Sequence, residues 1–179
     1  MDTEPTEVIV LGAIRQGKKN FNKIQRATNI KPDELEGILS RLEKLGHIMV
    51  VTKKSWLGKK IEILITDKGS NELDNRLYEA REKWGRMQQL YQTKDKKGLQ
   101  DMMDGNRSFL PMMMFFGIMD IMMFSMMFSM MGATMTDYVP AESIPEGFDT
   151  GDAGGDAGSD MGDVGVDNGF GGGDFDFGF

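Results

Sequence analysis

The sequence has no cysteine and a single histidine, His47. Disulfide frameworks, thiol nucleophiles and Cys/His zinc sites are excluded by that inventory, which suits a reducing interior. Basic residues are missing from the whole second part: all 21 Lys and Arg lie at or before Arg107, beside 16 of the 28 Asp and Glu. Residues 1–107 therefore carry +5 and residues 108–179 carry −12, and the formal net charge of −7 describes neither. The opening MDTEPTEVIV lacks a basic start, an apolar run and a cleavage site in that order, so no signal peptide is expected there. No glycine-rich phosphate loop follows a strand, His47 falls on a predicted strand, and most carboxylates of the second part sit in a glycine-rich tail. The expectation is a non-enzyme without a cofactor.

What is present begins with helix signals. Thr3 or Thr6 can cap a helix that starts near Pro5, runs through Val8, Leu11 and Ile14 and stops at Gly17. Asn20 can cap a short second helix with Phe21, Ile24 and Ala27 on its inner side, and Thr28-Asn29 supplies a turn. A third helix starts near Pro32, places Leu35, Ile38, Leu39, Leu42 and Leu45 on one face and ends at Gly46. The β-rich run 47–52, a polar tip over 53–60 and the alternating Ile61, Ile63 and Ile65 predict a hairpin.

The segments Leu42-Glu43-Lys44-Leu45-Gly46-His47-Ile48 and Leu64-Ile65-Thr66-Asp67-Lys68-Gly69 carry the patterns L-x-x-x-G-x-I and L-T-x-x-G. With the three helices and the basic-tipped hairpin they resemble a winged helix-turn-helix of the MarR/PadR-like type found in small prokaryotic and archaeal regulators. The match covers residues 5 to about 90. The resemblance implies that helix three enters the major groove of duplex DNA while the wing contacts backbone or minor groove. On that basis Lys53, Lys54, Lys59 and Lys60 on the hairpin, with Lys18, Lys19, Lys23 and Arg26 around helix two, are expected to meet phosphates. Trp56 would press on a sugar or base edge, and Lys31, Ser40, Arg41 and Lys44 are the expected contributors from helix three. Asp33, Glu34 and Glu36 crowd the start of that helix, where they stabilise its dipole and oppose an anionic duplex. The competing reading is a solvated basic face on a module that serves protein contacts.

After Gly69, the residues Leu73, Leu77, Ala80, Trp84, Met87 and Tyr91 recur at spacings of four and three, flanked by charges. This seam predicts a helix over 71–92 that pairs two copies of the chain, with packing onto helix one as the alternative. Residues 93–108 read as a polar linker broken by Gly98 and Gly105.

Residues 109–135 hold eleven Met and one charge, Asp120. About 20 apolar residues suffice to cross a ~30 Å hydrocarbon core, so one transmembrane helix is expected. Basic residues before it and none after it place the N-terminal part in the cytoplasm. The alternative is a soluble Met-rich groove that binds hydrophobic partners, since methionine adapts to irregular apolar surfaces.

Residues 137–179 contain twelve Gly, eleven Asp or Glu and no Lys or Arg, a composition expected to be disordered. Asp152, Asp156 and Asp160 recur among glycines, but the nine-residue repeat of calcium-binding β-rolls is absent, so no metal site is expected. The end GFGGGDFDFGF sets Phe170, Phe175, Phe177 and Phe179 among acids and resembles the acidic, Phe-ended tip of bacterial single-stranded-DNA-binding proteins. Phe175, Phe177 and Phe179 suit a basic, apolar-floored pocket on a protein partner or on this chain's own wing.

The expected architecture is thus mainly α with a small β-hairpin. It comprises a winged helix-turn-helix over 1–70, a dimerisation helix over 71–92, a linker over 93–108, a hydrophobic Met-rich helix over 109–135 and an acidic tail over 136–179. The expected function is a membrane-anchored, dimeric DNA-binding regulator. The alternative is a cytoplasmic adaptor or chaperone-like protein whose Met-rich helix takes hydrophobic partners.

Overall fold

The computed structural model describes residues 4–55, 58–141 and 144. Among them the chain is mainly helical with one two-stranded antiparallel hairpin. Helices α1 (Pro5–Arg15), α2 (Phe21–Thr28) and α3 (Pro32–Lys44) lead into strands β1 (Ile48–Ser55) and β2 (Gly58–Ile65). Helices α4 (Asp67–Gln92), α5 (Lys96–Gly105), α6 (Leu110–Phe115) and α7 (Ile121–Met131) follow.

Local signals set most of the early boundaries. Pro5 opens α1, and Gly17 at φ +87° ends it, its N–H donating to the Ile14 carbonyl at 3.0 Å. The Asn20 side chain accepts from Lys23 N at 3.0 Å to cap α2, and Asn29 closes that helix in the left-handed region. Thr66 caps α4 by accepting from Gly69 N at 3.1 Å. The hairpin register pairs Ile48 with Ile65 and Lys54 with Lys59, so the predicted polar tip is mostly paired strand.

Helix α1 is apolar nearly all round, with Val8, Val10, Leu11, Ala13 and Ile14 buried, and a helix of that kind belongs in the middle. It packs against α2, α3, α4, α6 and β2. Gly12 is what lets the C-terminal part approach: a methyl there would overlap the Phe116 ring.

Three expectations fail on packing grounds. Residues 93–108 are not a linker: Asp95 caps α5 by accepting from Gly98 N at 2.9 Å, and α5 buries Leu99 and Met103. The seam Leu73, Leu77, Ala80, Trp84 and Met87 is buried inside the chain's own core, with Tyr91 half-buried, so these side chains are not free to pair with a second copy. Residues 109–135 do not form one helix. Gly117 at φ +62° stops the run, and Asp120 restarts it as the N-cap of α7 by accepting from Met123 N at 2.9 Å. Asp120 is exposed and occupied as a cap, where a lone buried charge would have needed a partner. Helix α7 has 11 residues, about 16 Å by the 1.5 Å rise. Among the described residues no helix is long and apolar enough to cross a membrane.

The Met-rich segment instead completes the core. Met112, Met113, Met119, Phe124, Met127, Phe128 and Met131 are buried together with Trp84, Leu99 and Leu110. The Phe124 ring meets Trp84 at 6.2 Å and Phe128 at 4.7 Å, both edge to face. Tyr138 and Val139, assigned by composition to the tail, are buried too. The Arg107 guanidinium lies over the Tyr138 ring at 4.8 Å and donates to the Asp137 carbonyl. Trp56, and the tail from residue 145 with Phe170, Phe175, Phe177 and Phe179, lie outside the described residues.

His47 sits at the junction of α3 and β1, buried, and its Nδ1 has no hydrogen-bond partner. Burial, and then the Lys68 ammonium, push its pKa below the ordinary imidazole value, against the opposing pull of Glu72 and Glu7. The fold thus favours neutral imidazole, while the unfolded chain takes up a proton from about pH 6.5 downward. This contribution to stability is complete above that value and is lost as pH falls below it, by at most about 1.4 kcal/mol per pH unit. Thermal unfolding at about pH 7.5 and about pH 5.5 should show the loss, and His47→Gln should flatten it. Equal pH slopes for the two proteins would assign the acid sensitivity to other groups.

Candidate nucleic-acid interface

The basic side chains collect on two neighbouring elements. In the α1–α2 turn and on α2, Lys18, Lys23 and Arg26 line one shallow concavity of about 390 Å³ together with Gly17 and Ala27. Lys18 is half-buried and Lys19, Lys23 and Arg26 are exposed. The same turn is tied to the hairpin, because Ile63 N donates to the Lys19 carbonyl at 2.8 Å. Beside it a groove of about 360 Å³ is lined by Asn20, Phe21, Asn22, Ile61 and Ile63. Helix α2 and strand β2 therefore present one continuous surface.

The four hairpin lysines are not equivalent. Alternation places Lys53, Lys60 and Glu62 on one face of the ladder and Lys54, Lys59, Ile61 and Ile63 on the other. Glu62 lies between the first pair, 2.7 Å from Lys53 Nζ and 3.1 Å from Lys60 Nζ. Those two ammonium groups, Lys53 first, hold its carboxyl down at about 2, so it stays ionised throughout the neutral range. No carboxylate among the described residues pairs with Lys54 or Lys59, and both are exposed. The sequence reading missed this neutralisation. The signal was there, since pairing Lys53 with Lys60 sets Glu62 diagonal to Lys53 on one face.

Helix α3 contributes less than expected. Its Arg41, expected to read bases, is engaged elsewhere: Nε lies 3.1 Å from Glu7 Oε1 and a terminal nitrogen 3.3 Å from Glu4 Oε1. Glu7 is buried, so Arg41 supplies the counter-charge that clamps α3 onto the start of α1. Ser40 and Lys44 are exposed, as is Lys31 just before the helix. They share that exposed side with Asp33, Glu34, Glu36 and Glu43, so an anionic ligand meets more repulsion than attraction along α3.

Electrostatics thus separates two surfaces. One is a basic strip from Arg26 through Lys23, Lys18 and Lys19 to Lys59 and Lys54; the other is the acid-rich outer side of α3. The strip can supply ammonium and guanidinium donors to successive phosphates. Comparison with protein-family models, curated proteins and solved structures finds no match to this chain.

Proposed function

We propose that the chain is a winged helix-turn-helix protein that binds duplex DNA, with β1 and β2 as the wing, and that it holds the duplex mainly by its phosphates. The order of three helices, hairpin and long helix supports the fold reading, as does the bond from Ile63 to Lys19 that joins the first turn to the wing. The observation that carries the function is the shared concavity of Lys18, Lys23 and Arg26, continuous with β2 and without a carboxylate partner among the described residues. Sequence discrimination from α3 falls to Ser40 and Lys44 alone, so preference among sequences is modest beside the salt-dependent backbone term.

Binding of labelled duplex across a range of salt concentrations tests this. Each lost phosphate contact lowers the slope of log affinity against log salt by about 0.9, so Lys23→Ala with Arg26→Ala should reduce it by about 2. Lys54→Ala with Lys59→Ala should do the same, whereas Lys53→Ala with Lys60→Ala should cost less. Glu62→Gln releases two lysines and should tighten binding. A slope indifferent to all four variants would remove this surface from the mechanism.

A second reading retains one observation. Met122 and Met126 stand one turn apart on α7 at 67% and 51% exposure, which suits an apolar partner. Under that adaptor reading Met122→Lys would abolish partner capture and leave the salt slope unchanged.

A further inference from the structure

The groove between the start of α2 and β2 pairs an apolar floor with a basic rim. Ile61 is 60% exposed on the floor, beside Phe21 and Ile63. Lys23, Lys18 and Arg26 line the adjoining concavity on one side. On the other, Lys59 and its cross-strand partner Lys54 continue the same face of the hairpin. A large exposed isoleucine with Lys59 and Lys54 further along its own ladder face, and the basic concavity adjoining its groove, is costly to leave in water and selective in what can cover it.

One segment of the chain has the matching chemistry. Residues 167–179, DNGFGGGDFDFGF, carry four Phe and three Asp and no basic residue. Phenylalanines at 175, 177 and 179 alternate with small or acidic residues, so an extended segment offers rings to a floor and carboxylates to a rim. The 22 residues between Ile144, the last described, and Asp167 span up to about 75 Å when extended. That exceeds the width of a folded unit of this size, whose radius of gyration is about 14 Å.

We propose that residues 167–179 dock in this groove of their own chain and compete there with nucleic acid. The competition rests on the nucleic-acid reading above; the docking does not. Phe175, Phe177 or Phe179 covers Ile61 and Phe21, while Asp174 and Asp176 meet Lys23 and Lys59. Tethering holds the segment at an effective concentration of about millimolar, enough for a weak contact to close the groove.

The absence of cysteine makes a direct test simple, because a nitroxide at Gly172→Cys labels one site of the full chain. Paramagnetic broadening should concentrate on the amides of Asn20, Phe21, Asn22, Ile61 and Ile63. It should disappear in the triple variant Phe175→Ser, Phe177→Ser, Phe179→Ser, and in Ile61→Glu, which changes an exposed side chain and leaves the core intact. Broadening spread evenly, or centred on Met122 and Met126, overturns the docking. So does broadening of unlabelled chain mixed with labelled chain, which would seat the segment on a second copy.

Duplex titrations on the same proteins separate the two claims. The triple Phe variant should bind duplex about tenfold more tightly than the parent. Local broadening with unchanged duplex affinity overturns the competition and upholds the docking. Local broadening in a chain that binds no duplex, with or without the phenylalanines, overturns the nucleic-acid reading and upholds the docking.

Discussion

Phe124→Ala is expected to lower the unfolding free energy by about 3–5 kcal/mol, the usual loss for a fully buried aromatic ring. Phe124 has no exposed surface and stands between Trp84 of α4 and Phe128 of α7. Deleting the ring removes two edge-to-face contacts and leaves a cavity whose walls are the helices that join the N-terminal part to the Met-rich part. Because α1 packs on both α4 and α6, the loss should appear as a lower midpoint of one cooperative transition. Chemical denaturation followed by amide protection in α1 and α7 checks this. A variant in which α7 loosens while α1 keeps its full protection would mean that the Met-rich part folds as a separate unit.

Gly69→Ala should cost about 3 kcal/mol, at the upper end for overpacking, because the obstacle is backbone and cannot swing aside. A methyl at Gly69 would overlap the His47 carbonyl. That carbonyl also accepts from Thr66 N at 3.0 Å and from Thr66 Oγ1 at 3.1 Å, and Lys68 Nζ donates to the Leu45 carbonyl at 2.7 Å. The start of α4 is thereby bolted to the end of α3. Moving it by the width of a methyl disturbs the cap of α4 and the entry of β1 together. Urea unfolding of the variant measures the loss, and duplex binding at low temperature should weaken less than stability does, since the basic strip lies on α2 and β2. Near-parent stability would mean that α3 and α4 can separate at little cost.

Much of the N-terminal architecture was legible because its signals are local. Pro5, Gly17, Asn20, Pro32 and Gly46 act through their own φ angles or side-chain caps, whatever the rest of the chain does. The spacing of Leu35 and Leu42 on one face, and the alternation through Ile63, likewise carry their burial in the sequence. The break at Gly117 and the cap at Asp120 were also visible as residue types. High hydropathy across 109–135 outweighed them, because an apolar run has the same composition whether lipid or protein covers it.

The candidate site divides the same way. Sequence alone determined the inventory: which residues carry charge, that no thiol is present, and where helices and the hairpin begin. Only tertiary structure decided which charges remain available. Arg41 is consumed by Glu7 across two helices, Lys53 by Glu62 across two strands and Lys60 by the same carboxylate along one, and Arg107 by Asp137 and Tyr138. The apolar seam of α4 was likewise readable as a seam, but the choice between its two candidate partners, a second copy or helix one, was not, and the fold packs α4 on α1. Hydrophobic burial is non-directional, so a stripe of Leu, Ala, Trp and Met states that it will be covered, and the rest of the chain decides by what.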